Sequence, residues 1–197
     1  MSALPIEPPR GDGYSWDELL ELWETMDHPE GCKVEIIDGS ITVTPSPANQ
    51  HSGIGYKLLN ALVKGMPEEF GVYPQVDVAI PGYQSLYVPD LTVVPQAVVD
   101  NTPGHYILAS EVALTVEITS PSNARRDRVT KLAGYALGGI PLYLLIDRWA
   151  SGGPMVTLFG KPGDRTYQVL QSAKFGDPVY LPAPFDLTLD TSTFPVN

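Results

Sequence analysis

Apolar positions along the chain recur with two different periods, and the changes of period mark out the elements. Trp16, Leu19, Leu20 and Trp23 follow helical spacing behind Ser15-Trp16-Asp17-Glu18, which has the form of a capping box. This predicts a helix over about residues 16–26. In KVEIIDGSITVT two β-prone runs flank Asp38-Gly39, the pair that a tight hairpin turn prefers because both positions take φ > 0. A second helix follows from about Ala48 to Met66, carried by Ile54, Leu58, Leu59 and Leu62 at the 3.6 period, and it ends before Pro67. Residues 71–80 alternate, with Val72, Val76, Val78 and Ile80 on one side and Tyr73, Gln75 and Asp77 on the other, as in a strand with one buried face.

Two further strands are expected at 87–95 (YVPDLTVVP) and 112–119 (VALTVEIT). The run SNARRDRVTKLAGYALGGI reads as a helix stopped by Gly138-Gly139, and PLYLLID as a buried strand after it. Helix into buried strand is the order of a crossover in a mixed sheet. The remainder, MVTLFG, RTYQVL and PVYLPAPFDLTL with turns such as Lys161-Pro162-Gly163-Asp164, predicts a C-terminal β meander over 151–197. No repeat, low-complexity run or linker interrupts the chain, and 197 residues suit one domain better than two. The fold class expected is therefore α/β in the α+β sense, over residues 1–197.

Composition changes this picture in three ways. A hydrophobic share of 43% with 18% charged residues is that of an ordinary globular chain. The net charge of −11 repels a polyanion at long range, which weighs against nucleic-acid binding unless a local cation inverts the field. The one cysteine, Cys32, excludes a disulfide framework and favours a reducing compartment. The first thirteen residues lack the features of an export signal, and there is no apolar run of about 18 residues. A cytoplasmic protein without a membrane span is the expectation.

The chemistry on offer is acidic. Glu117 shares a strand face with Thr115 and Thr119, while Leu114, Val116 and Ile118 take the other, and Asp90 follows Pro89 in the neighbouring apolar stretch. Two carboxylates held against a core repel each other unless a cation neutralises them, and Mg²⁺ typically takes one or two carboxylates plus water and substrate phosphate. On the following helix Asp127, Lys131 and Tyr135 stand at i, i+4 and i+8, a polar stripe opposite Val129, Leu132 and Ala136. An ammonium there can orient or help deprotonate a water, or stabilise charge on phosphorus. Each residue also has a plainer reading. Asp127 and Lys131 make a surface pair, Glu35 alternates into the solvated side of the hairpin, and His51 closes a helical turn at the core edge. Gln75 and Asp77 share a strand face that either touches the site or meets solvent, and Arg125, Arg126 and Arg128 meet phosphate or decorate a helix start.

In combination these segments resemble the PD-(D/E)XK nuclease superfamily, and within it the Uma family of restriction-endonuclease-like proteins. The matching residues are VEIIDGSITVTPSP with His51 after it, VPDLTVV, and VEITSPSNARRDRVTKLAGYALGGIPLYLLID, in that order, over about residues 15–150. The resemblance implies a restriction-endonuclease-like mixed central sheet flanked by helices and metal-dependent hydrolysis of DNA. It makes Asp90 and Glu117 the ligands of Mg²⁺ or Mn²⁺, sets Lys131 in the place of the catalytic lysine, and puts Glu35 and His51 near the site as supporting residues. Asp127, Tyr135 and Gln75 join them as supporting candidates from the helix stripe and strand face alone. One departure stands out: the superfamily places a lysine two residues after the acidic residue, where this chain has Thr119. Double-strand cutting needs two sites, which favours a homodimer. Two other readings remain: a nuclease fold kept only to bind nucleic acid or a protein partner, and a metal-dependent phosphodiesterase of small nucleotides.

Overall fold

The structure, a computed structural model, describes residues 13–45 and 48–195. Residues 1–12 of the amino-terminal stretch, and Ser46 and Pro47 of the hairpin motif, lie outside the described residues.

Helix α1 (Trp16–Thr25) starts on the capping box: the Ser15 hydroxyl accepts from the Glu18 N–H, and the Glu18 carboxylate accepts from the Ser15 N–H at 2.8 Å. Strands β1 (Cys32–Ile37) and β2 (Ser40–Pro45) form the expected hairpin, with Asp38 and Gly39 at φ 49° and 75°. Helix α2 (Asn49–Gly65) buries His51, Ile54, Leu58 and Leu62 along one side. The stretch 71–80, expected as one strand, is two: β3 (Phe70–Tyr73) and β4 (Asp77–Ile80) lie in different sheets. Between them Gln75 takes φ 56°, and Pro74 has no N–H for a ladder, so the alternation ran through a turn. The stretch 87–95 divides in the same way into β5 (Ser85–Tyr87) and β6 (Leu91–Pro95), with Pro89 in the break and Asp90 at its end.

After α3 (Gln96–Asn101) and β7 (Tyr106–Leu108), strand β8 (Leu114–Ile118) leads into a helix of two windings. Residues Arg126–Lys131 are wound as a π-helix, and α4 (Leu132–Leu137) continues it. Strand β9 (Leu142–Asp147) then returns parallel to β8, the crossover that helix-then-buried-strand order predicts. Strands β10 (Met155–Gly160) and β11 (Gln168–Lys174) extend that sheet, and β12 (Val179–Leu181) pairs with β13 (Leu187–Leu189) in a ribbon. The C-terminal strands are thus shared between the main sheet and a separate pair.

Two mixed sheets result, ordered β11-β10-β9-β8-β6-β3 and β2-β1-β5-β4-β7. The outer face of the six-stranded sheet, with Leu91, Val93, Leu114, Val116 and Ile118, packs on Ile54, Leu58 and Leu62 of α2 and on Val179, Leu181 and Leu189. The outer face of the five-stranded sheet, with Val34 and Ile36, packs on Leu19 and Trp23 of α1. Each such side chain, fully buried, contributes about 1.5–3 kcal/mol. A third cluster joins Val78, Tyr87, Tyr135, Tyr143 and Leu145, so the inner faces of the sheets meet across the winding that carries Tyr135. Gly134 allows this approach, since a Cβ there would fall 2.5 Å from the Tyr87 hydroxyl. The architecture is the mixed α+β one expected, with α1 and α2 on the outer faces of the sheets and the helix after β8 against their inner faces.

Candidate active site

Strand alternation decides what fills the layer between the sheets. On β1, Val34 and Ile36 turn toward α1, so Lys33 and Glu35 turn inward; on β8, Leu114, Val116 and Ile118 turn toward α2, so Thr115 and Glu117 turn inward. Strand β6 runs antiparallel to β8 with Leu91 opposite Val116, and one more step in that register sets Asp90 opposite Glu117. The helix adds its polar stripe from the side. Polar residues are therefore concentrated where both sheets and the helix meet, and each must find a partner there.

Most of the charged ones do so around two ammoniums, whereas the buried Thr115 hydroxyl has no hydrogen-bond partner. Lys131 Nζ lies 2.7 Å from Glu35 Oε1 and 2.9 Å from Glu117 Oε1, and 5.7 Å from the centre of the Tyr87 ring. The Tyr135 hydroxyl donates to the same Glu117 oxygen at 2.5 Å. Glu35 Oε1 also accepts the Val88 N–H at 2.8 Å, which ties β1 to the Pro89-Asp90 corner. Asp90 is held on both oxygens: Lys33 Nζ donates to Oδ1 at 2.5 Å and to the Val88 carbonyl at 3.2 Å. Oδ2 takes the Ile118 N–H at 2.8 Å and lies 2.9 Å from His51 Nε2.

Burial sets the electrostatics. Burial alone would raise the Asp90 carboxyl, but the hydrogen bond from His51 and the charges of Lys33 and His51 reverse this and hold it well below the usual range. Burial pushes the Glu117 carboxyl up; the Lys131 charge opposes this and the Asp90 charge adds to it. For Lys131, burial favours the neutral amine, yet Glu117, Glu35 and Asp127 together keep it charged far above the ordinary range. Asp127 is the exception in the cluster. It is buried, neither carboxylate oxygen has a hydrogen-bond partner, and burial followed by the Glu117 charge pushes its carboxyl well up.

Of the residues singled out in the sequence, Asp90, Glu117, Lys131, Glu35, His51 and Tyr135 come together here, and Asp127 lies against them. The surface readings fail on burial. Glu35 is 2% exposed rather than on a solvated hairpin face, and Asp127 and Lys131, at 0% and 3%, form no surface pair. Gln75 is absent from the cluster: it sits exposed in the β3–β4 turn and lines a cleft with Asp77 and Lys33. The arginines scatter. Arg128 binds Asp147 through two bonds of 2.7 Å, Arg126 reaches Thr44, and Arg125 is exposed. Thr119, at the usual lysine position, donates to Asp147 at 3.1 Å and plays no part in the cluster. Lys33 escaped the sequence reading, although Lys33 and Glu35 at i and i+2 already signal a shared strand face.

Among the described residues no group of three or more His, Cys, Asp or Glu side chains is arranged to hold a metal ion. What the site presents is two facing carboxylates, a third across the layer, and ammonium groups as their counter-ions. No helix among the described residues is long and apolar enough to cross a membrane.

Comparison with known proteins bears on the fold and the family. Among curated proteins none matches the chain. A solved structure from Anabaena variabilis, described as "a putative nuclease belonging to DUF820", is 20% identical. It superposes with a TM-score of 0.68 over 92% of this chain and 97% of its own length, a likeness of fold. The sequence profile of the Uma2 family, described as "Putative restriction endonuclease", matches residues 16–192, and the chain belongs to that family.

Proposed function

We propose that the chain is a divalent-metal-dependent endonuclease that hydrolyses phosphodiester bonds in DNA, with Asp90 and Glu117 as the ligands of Mg²⁺ or Mn²⁺. The observation that carries this reading is the convergence of these two carboxylates from adjacent strands, in register, inside a family of nuclease-like chains. The donor set fits such a cation. All of it is hard carboxylate and carbonyl oxygen, and one cation, the Lys33 ammonium, already sits between Asp90 Oδ1 and the Val88 carbonyl. A bound divalent ion supplies positive charge to the phosphate oxygens and lowers the cost of ionising a water. The chain's own residues do the rest. Lys131 and Tyr135 grip one oxygen of Glu117 and hold its side chain in a single rotamer, so Lys131 acts from behind the carboxylate as a fixed counter-charge. His51 and the Ile118 N–H hold Asp90 in the same way, and Glu35 locks the Asp90 corner through Val88. This reading takes residues 1–197 as one cytoplasmic domain acting as a homodimer.

Plasmid and single-stranded DNA incubated with Mg²⁺, with and without chelator, test it. Cleavage that needs the metal and disappears in Asp90→Ala is expected. Metal-independent cutting, or an Asp90→Ala variant as active as the wild type, would sink the assignment. Binding of DNA without any turnover would favour a retired fold serving as a binding module, the reading that the net charge of −11 makes second.

A further inference from the structure

The two ammoniums of the site differ in what they can reach. Lys131 is 3% exposed and enclosed by Glu35, Glu117 and the Tyr87 ring. The Lys33 side chain is 14% exposed and lines a cleft of about 480 Å³ walled by Trp23, His28, Gln75, Asp77 and His105. Val88, whose carbonyl Lys33 holds, lines the same cleft. Asp90 Oδ2 is saturated from inside the fold by His51 and the Ile118 N–H, which leaves Oδ1 as the oxygen on which Lys33 sits. A group that approaches Asp90 from the cleft meets Lys33 first.

We propose, resting on the nuclease reading above, that Lys33 is a resident counter-ion on Asp90 that a divalent cation displaces and that then contacts the substrate phosphodiester in the cleft beneath α1. Both cations compete for the same oxygen, and holding two positive charges on it at contact distance costs Coulomb repulsion. The lysine is able to move, because its flexible four-carbon stem carries a compact charge with three donors to any acceptor within its arc, and the arriving cation replaces it as the partner of the buried carboxylate. The cleft is mixed in charge: Glu24 and Asp77 oppose an anion there, and Lys33, His28 and His105 favour one. Lys33 is then the one ammonium of the site in a position to meet substrate, and the residue missing from the Thr119 position has its counterpart on β1.

The experiment titrates Mn²⁺ calorimetrically into wild type, Lys33→Met and Lys33→Gln, each first checked for a cooperative thermal transition. Affinity for a labelled single-stranded oligonucleotide in Ca²⁺, and cleavage in Mg²⁺, are then measured. Removing the competing cation should tighten Mn²⁺ binding about tenfold, while oligonucleotide affinity falls and cleavage drops roughly 10²-fold, the usual loss for one electrostatic group. Unchanged or weaker Mn²⁺ binding in both variants overturns the proposal. So does tighter Mn²⁺ binding with unchanged oligonucleotide affinity, which would make Lys33 a counter-ion only. If wild type cuts no DNA the nuclease reading fails, and the two binding measurements still decide on Lys33. If cleavage is lost in Asp90→Ala and kept in both Lys33 variants, the nuclease reading stands and Lys33 has no part in it.

Discussion

Asp127 shows how a single residue can work against the fold for the sake of its neighbours. Both of its oxygens are buried without a hydrogen-bond partner, close to Glu117, and its charge helps to keep Lys131 protonated. Its carboxyl is raised in the folded state, so its stabilising contribution is complete below the unfolded value of about 3.9 and is lost as pH rises toward the folded value. Asp127→Asn should accordingly match the wild type near pH 4. At pH 8 it should unfold at a higher temperature, by a few degrees for about 1 kcal/mol in a chain of this size. Thermal melts of both proteins at the two pH values are the check, and a variant less stable at pH 8 would mean that Asp127 is bonded in solution. Asp90 runs in the opposite direction: its depressed carboxyl stabilises above the unfolded value, and that contribution is lost as pH falls through the folded one.

At the scale of the element, the helix after β8 buries its polar stripe rather than exposing it. Of the opposite side, marked by Val129, Leu132 and Ala136, only Ala136 is buried, while Val129 is 60% exposed and Leu132 half-buried. Two causes act together. The stripe meets Glu35 and Glu117, whose charges would be costly without Lys131. The π-winding of Arg126–Lys131 also shifts the helical phase before α4 begins, so the apolar positions of the two windings do not share one environment. Val129→Lys should change stability by less than about 0.5 kcal/mol, the range of ordinary surface substitutions. Urea unfolding measures this, and a loss of more than about 2 kcal/mol would place Val129 in a core.

For the whole molecule, the proposed function together with a field set by a net charge of −11 leads to the expectation that a divalent cation stabilises the fold. Binding confined to the folded state raises stability by about 2.7 kcal/mol at a hundredfold excess over Kd. Millimolar Mg²⁺ or Mn²⁺ should therefore raise the thermal midpoint of the wild type. Asp90→Ala should lose most of that response while staying folded. A midpoint indifferent to both metals would remove the cation from the native protein.

Much of this was legible in the chain itself because it depends on short-range rules. The capping box at Ser15, the Asp38-Gly39 turn, the period of α2 and the crossover from β8 to β9 are each encoded within a few residues of where they occur. Alternation likewise set Glu117 apart from Leu114, Val116 and Ile118, and would have set Lys33 beside Glu35. What the chain alone could not decide were the pairings between distant segments. Local alternation cannot tell a strand from two strands with a Pro-containing break, so 71–80 and 87–95 read as continuous although their halves belong to different sheets. Nor can it say which polar face is solvated, since that depends on what another sheet brings against it. Glu35, Asp127 and Lys131 look like surface residues in their own segments and become a buried cluster only when two sheets and one helix close over them, because each charge there is tolerable only in the presence of the others.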